Sequence, residues 1–155
     1  MRRCPEISVL MGIYDRSEDI SVLRRSVESI LHQTFSDFEF LICDDGSSTQ
    51  VQAYLDGVVK QDSRVRLIRS EGAFLLPVKL NRCLEKAHGK YIARMDGDDF
   101  SHPDRFQKQM NYLSGYSQIS FVGCNVNLIQ NGKAVGKRCF PEYPKVRDFY
   151  VTQPY

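Results

Sequence analysis

Four short apolar runs alternate with four segments of helical periodicity, and that order leaves few folds open to the chain. Ile7 to Ile13 reads as a first strand. Ile20, Leu23, Val27, Ile30 and Leu31 then recur at the spacing of one helical face, ending near His32. Phe38 to Cys43 is nearly continuous in apolar character, as expected of a strand buried on both faces. Val51, Tyr54, Leu55, Val58 and Val59 mark a second helix, and Val65 to Ile68 a short third strand. Leu80, Cys83, Leu84 and Ala87 give a third helix, with Gly89 as its C′ residue. Tyr91 to Met95, bounded by Gly89 and Gly97, reads as a buried fourth strand. Ser101-His102-Pro103-Asp104 has a capping-box form, with Ser101 as N-cap of a helix that packs Phe106, Met110 and Leu113 into the core. Ile119 to Ile129 reads as a fifth strand, Asn131-Gly132 as a hairpin turn, and Ala134 to Phe140 as the return.

This alternation implies right-handed βαβ units. The expected fold class is α/β: a Rossmann-like, mostly parallel sheet with helices on both faces and a C-terminal antiparallel hairpin added at the sheet edge. At 155 residues, without repeats or linkers, the chain has the size of one domain and can bury a real core.

A net charge of +2 is too small to make nucleic acid or an anionic membrane the main partner. No run of eighteen apolar residues and no signal-peptide pattern is present, which places the protein in the cytoplasm. The five cysteines form no C-x-x-C pair, so zinc or a disulfide framework is not expected. Cys43, Cys83 and Cys124 sit in apolar patterns and are expected to be small buried hydrophobes.

In open α/β sheets, ligands bind outside the carboxyl ends of the strands. Three polar clusters fall at such ends: Tyr14-Asp15, Asp44-Asp45-Gly46-Ser47-Ser48 and Asp96-Gly97-Asp98-Asp99. Each alone is an ordinary turn sequence. Together they suggest a division of labour, with an aromatic ring and a carboxylate for a nucleobase and another carboxylate for a ribose hydroxyl. The three crowded carboxylates of the last cluster repel one another unless a hard cation such as Mg²⁺ or Mn²⁺ compensates, and such an ion also grips phosphates. Gly12 removes side-chain bulk beside Tyr14, where a flat ring could approach the backbone. His102 lies next to the acidic turn as either a metal ligand or a surface residue. Arg94 and Arg105 could brace that turn by ion pairs.

The segments Ser8 to Tyr14, Ser26 to Phe35, Asp37 to Ser47 and Leu80-Asn81 carry a resemblance to glycosyltransferase family 2. Gly89 to Asp99, Pro103, Arg105-Phe106 and Gln109 continue it, so it covers roughly Ile7 to Pro154. The resemblance implies a GT-A fold and an inverting, metal-assisted transfer from a nucleotide-diphosphate sugar, UDP-sugar favoured. The implied nucleotide-sugar site is Gly12, Ile13, Tyr14, Asp45, Asp96, Gly97 and Asp98, with Asp98 and Asp99 holding Mn²⁺ or Mg²⁺. It further implies polysaccharide biosynthesis, a sugar or lipid-linked acceptor, and work at the inner face of the membrane. The family's usual catalytic base belongs to an acceptor half expected beyond Tyr155. Glu142 and Asp148 are the available carboxylates near the end of the chain, without the right context. An edge normally covered by that half would favour a homo-oligomer.

Departures mark the donor site. Gly12 stands where the family has Pro or Thr, Asp15 where it has Asn, and Leu80 where some members carry Arg. Two other classes compete with the transferase. One is a nucleotide-sugar-binding module without catalysis. The other is a phosphotransferase of the phosphatase or receiver type, disfavoured because its acidic cluster would follow an early strand. A calcium loop fails because Asp96 to Ser101 lacks glycine at its sixth position.

Overall fold

The structure, a computed structural model, describes residues 4–72, 75–130 and 132–141. The chain divides into two compact units, Met1–Gln107 and Lys108–Tyr155. In the first, β1 (Ile7–Ile13), α1 (Ser21–Leu31), β2 (Phe38–Asp44), α2 (Thr49–Gln61), β3 (Val65–Arg69), α3 (Leu76–Leu84) and β4 (Tyr91–Arg94) follow in turn. The strands form one parallel sheet in the order β3-β2-β1-β4. Right-handed crossovers then place α1 and α2 on one face and α3 on the other. On the α3 face Leu10, Leu41, Cys43 and Cys83 form a buried cluster with Ile68, Leu80 and Ala87 against it. The alternate residues Val9, Met11, Phe40 and Ile42 are fully buried and belong to the α1–α2 face, beside Val27, Ile30, Val51 and Leu55.

Several expectations need correction. α3 starts at Leu76, four residues before the first apolar position assigned to it, because Pro77 suits the first helical turn. It ends at Leu84, and Gly89 is not its cap. β4 is not doubly buried: Ile92 is 49% exposed and β1 is its only ladder neighbour among the described residues. Ser101 caps no helix. α4 (Arg105–Gly115) begins four residues later, and the Ser101 amide donates instead to Ser29 Oγ at 2.9 Å. Phe106 is buried, while Met110 and Leu113 are only half-buried.

In the second unit, the long fifth strand shrinks to β5 (Val126–Gln130), which pairs antiparallel with β6 (Lys133–Arg138) as a two-stranded sheet of its own, not an edge addition. Gly132 takes φ +74° in the turn, the left-handed value a two-residue hairpin requires. Asn131 lies outside the described residues. Cys124 is exposed, since the segment around it is not a strand; Cys43 and Cys83 are buried.

A buried charge ties the sheet together at its amino-terminal end. Glu39 is 8% exposed. Its Oε1 accepts from Ser8 Oγ (2.7 Å) and the His88 amide (2.6 Å), and its Oε2 from Arg66 Nη1 (2.9 Å). Burial disfavours its ionisation, but the hydrogen bonds from Ser8, His88 and Arg66 outweigh that and hold the carboxyl below its ordinary pKa. A lowered carboxyl contributes stability above the unfolded-state value, about 4.3, and loses it as pH falls through the folded value. Glu39→Gln is therefore expected to lose about 2 kcal/mol at neutral pH and to flatten the acid limb below that value. Urea melts across the acid range measure both; an unchanged acid limb would show that Glu39 does not set it.

Candidate nucleotide site

The strand order places the carboxyl ends of β2, β1 and β4 side by side, so the three polar clusters meet at one edge. Their loops are bonded to one another. The Asp45 amide donates to the Ile13 carbonyl (3.2 Å), the Ser48 amide to the Asp15 carbonyl (2.8 Å), and the Asp15 amide to Ser47 Oγ (2.9 Å). Asp44 is 1% exposed, accepts from the Ser47 amide (3.1 Å) and pairs with Arg69 (3.0 Å). It shapes the turn. Gly46 has φ +81°, a left-handed conformation that glycine adopts without strain.

A cavity of about 250 Å³ at this edge is lined by Gly12, Ile13, Tyr14 and Asp15 from the end of β1, Val22 and Leu23 from α1, and Gly97 and Asp98 from the acidic turn. Thus five of the expected nucleotide-site residues share one space. Asp45, Asp96 and Asp99 do not line it. Asp45 is 1% exposed and accepts from Ser70 Oγ at 2.7 Å. Both Asp96 oxygens take hydrogen bonds from Arg94 Nη2 (2.8 and 2.9 Å), the ion pair that Arg94's position allowed. The Asp99 carboxyl is pushed above its ordinary range by burial and by the charges of Asp98 and Asp96. Asp15 Oδ1 is turned to the Ser17 amide (2.8 Å) and hydroxyl (2.6 Å). His102 is exposed and its Nδ1 accepts from the Asp104 amide (3.2 Å), so it behaves as a surface turn residue. Arg105 Nη1 reaches the Arg94 carbonyl (3.4 Å) rather than a carboxylate of the turn.

Gly12 has a different neighbour from the one its sequence position suggested. A Cβ there would lie 2.8 Å from Lys79 Cβ and 3.0 Å from Leu76 Cδ1. The missing side chain admits α3.

Pattern reading passed over the residues that hold the acidic turn. Ser26 Oγ donates to the Asp96 carbonyl (2.8 Å), and Ser29 Oγ accepts the Ser101 amide (2.9 Å). Gln33 Nε2 donates to the His102 carbonyl (2.8 Å) and its Oε1 accepts the Phe106 amide (3.1 Å). Ser26 and Gln33 are buried polar groups on the face of α1 and its C-terminal extension that packs inward. Polar residues interleaved with Leu23, Val27 and Ile30 were the available signal. Glu142 and Asp148 lie outside the described residues.

The family model of glycosyl transferase family 2 matches residues 8–150. WbnJ of Escherichia coli, an O-antigen biosynthesis glycosyltransferase, is 35% identical over 144 residues, covering 90% of this chain and 54% of that protein. WfgD of Escherichia coli, a UDP-Glc:α-D-GlcNAc-diphosphoundecaprenol β-1,3-glucosyltransferase, is 32% identical over 136 residues, covering 88% of this chain and 51% of that protein. The chain therefore spans about half the length of these relatives. Among solved structures, the mannosyltransferase PcManGT from Pyrobaculum calidifontis, in complex with GDP-Man and Mn²⁺, superposes with a TM-score of 0.62 at 16% identity over 84% of this chain and 37% of that one, a likeness of fold.

Proposed function

This chain belongs to glycosyl transferase family 2, and we propose that it carries the donor-binding part of an inverting transferase that uses a nucleotide-diphosphate sugar, UDP-sugar favoured. The observation that carries the reading is the cavity in which Gly12, Ile13 and Tyr14 from one motif meet Gly97 and Asp98 from another, more than eighty residues away in sequence. In this reading Tyr14 packs on the nucleobase, Asp45 accepts its imino N–H, and Asp96 accepts a ribose hydroxyl in exchange for Arg94.

Among the described residues no three His, Cys, Asp or Glu side chains form a metal-holding group. The residues present nevertheless fit a substrate-bridged divalent ion. One or two carboxylates with phosphate oxygens and water suffice for Mg²⁺ or Mn²⁺, and the mutual repulsion that raises Asp99 is what such an ion would relieve. Asp98 and Asp99 would hold it. When bound, the ion supplies Lewis-acid neutralisation of the departing diphosphate. The chain's own residues orient the nucleotide and fix the turn, through Ser26 and Ser29. The acceptor is proposed to be a sugar or lipid-linked sugar, as in WfgD's name, met at the inner face of the membrane. No helix among the described residues is long and apolar enough to cross one.

Calorimetric titration with UDP, GDP and their sugars, with Mn²⁺ or with EDTA, tests this. Binding is expected only with the metal. Tyr14→Ala should weaken it by about 1–3 kcal/mol through lost ring contact, and Asp45→Asn should weaken it by replacing a charged acceptor. Equal binding in EDTA would remove the metal bridge, and normal binding by both variants would place the base elsewhere.

A further inference from the structure

Lys79 has an uncommon environment for a lysine. It sits on the packed side of α3 and is 6% exposed. Its stem lies against the backbone of Gly12, where any side chain would collide with it. Its ammonium stands 5.8 Å from the centroid of the Tyr14 ring. On the same ring, the Arg16 guanidinium lies 5.2 Å from the centroid, and Arg16 Nε donates to Tyr14 Oη at 3.3 Å. Among the described residues neither cation is hydrogen-bonded to or paired with a carboxylate. Asp15, the adjacent acid, has its Oδ1 turned to Ser17.

A largely buried ammonium without a counter-charge is costly, because desolvation is not repaid by an ion pair. Two such cations gathered on one ring make the arrangement costlier still. The ring's negative face offsets part of this, but a cation–π contact at this separation is weak. The charge arrangement is completed if an anion arrives from outside. Tyr14, which collects the two cations, lines the same cavity as Asp98, so one side of that space is cationic and the other is the acidic turn. A diphosphate suits both, with oxygens for an ammonium and a guanidinium and further oxygens for a metal on the carboxylates.

We infer that Lys79, assisted by Arg16, is the binding residue for the phosphate oxygens of the donor's nucleoside diphosphate. This rests on the donor-site reading above. Gly12 and Lys79 then form a matched pair: glycine at the end of β1 makes room for a cation from α3 at the position where a bulkier residue would exclude it.

The experiment titrates the purified chain, with Mn²⁺, against uridine, UMP and UDP at low and moderate salt. Lys79→Met keeps the stem and removes the charge. It is expected to weaken UDP roughly tenfold or more, to leave uridine within about twofold, and to reduce the salt dependence of UDP binding. Lys79→Arg should recover most of the loss. Equal weakening of uridine and UDP, or unchanged UDP binding, overturns the assignment while leaving the donor site standing. Wild-type chain that binds none of the three overturns both. Should Lys79→Met fail to fold by circular dichroism, Arg16→Gln at an exposed position decides. A selective loss of UDP over uridine supports the phosphate role, and no selective loss overturns it.

Discussion

Gly89→Ala is expected to cost more than about 3 kcal/mol of stability and to lower the melting temperature by on the order of 10 °C. The reason is the neighbour it would meet. A Cβ at position 89 would lie 2.3 Å from the Ser8 amide nitrogen and 2.6 Å from the Ile7 carbonyl carbon. Those atoms are backbone of β1, which is bonded on one side to β2 and on the other to β4. No side chain can rotate away to make room. The clash also sits within the buried network: the Gly89 amide donates to Ser8 Oγ at 2.8 Å, and Ser8 in turn donates to Glu39. Widening the gap at 89 would pull on that charge and on the His88 amide that it accepts from. Gly57→Ala is the control. Position 57 lies inside α2 with nothing within 4 Å of its would-be Cβ, so alanine there should be neutral or stabilising by about 0.5–1 kcal/mol. Equal melts for the two variants would mean that β4 can shift at no cost.

Gly89 also shows which parts of the fold were legible in the sequence. A glycine after a helical pattern suggests a left-handed cap, and only the packed structure reveals that its requirement is close approach to another strand. The positive-φ glycines among the described residues are Gly46, Gly72 and Gly132. Periodicity located β1, α1, β2 and α2 to within a residue or two, because each puts a continuous apolar face or run into the core. It failed where the partner decides the pattern. β4 reads as buried from Tyr91, Ile92 and Met95, yet it has one ladder neighbour and alternates in exposure. Ile119 to Asn125 has strand-like composition and is not a strand. Ser101 has the composition of a cap and serves instead as an anchor to Ser29.

The candidate site was legible by spacing to the extent that its residues are charged and lie at strand ends. Five of them do share a cavity. The supporting residues were not legible, because Ser26, Ser29 and Gln33 act through carbonyls and amides of a loop seventy or so residues away. Lys79 was hidden for the opposite reason: at i+3 from Leu76 and i−4 from Cys83 it occupies an apolar spacing, where a charge is easily passed over.

The acidic turn offers an experiment in which stability and binding move in opposite directions. Asp99→Asn is expected to raise the melting temperature of the metal-free chain slightly at neutral pH, and to weaken Mn²⁺-dependent UDP binding at least tenfold. The sign of the first effect follows from charge. Burial and the neighbouring Asp98 and Asp96 raise the Asp99 carboxyl, so its ionised form is the costly one in the folded state. Asparagine removes that charge at the same size. The sign of the second follows from chemistry, since an amide oxygen is a poorer ligand than a carboxylate for a hard divalent cation. Asp98→Asn should weaken binding similarly, and the double variant less than additively, because both side chains are assigned to one ion and a site that has lost one ligand has less to lose from the second. A turn that existed only for folding would behave otherwise. Its carboxylates would stabilise the chain, and their replacement would lower the melting temperature without touching a metal-dependent titration. Melting and calorimetry on the same three variants separate the two, and a stability loss with unchanged Mn²⁺-dependent binding would take the metal away from this turn.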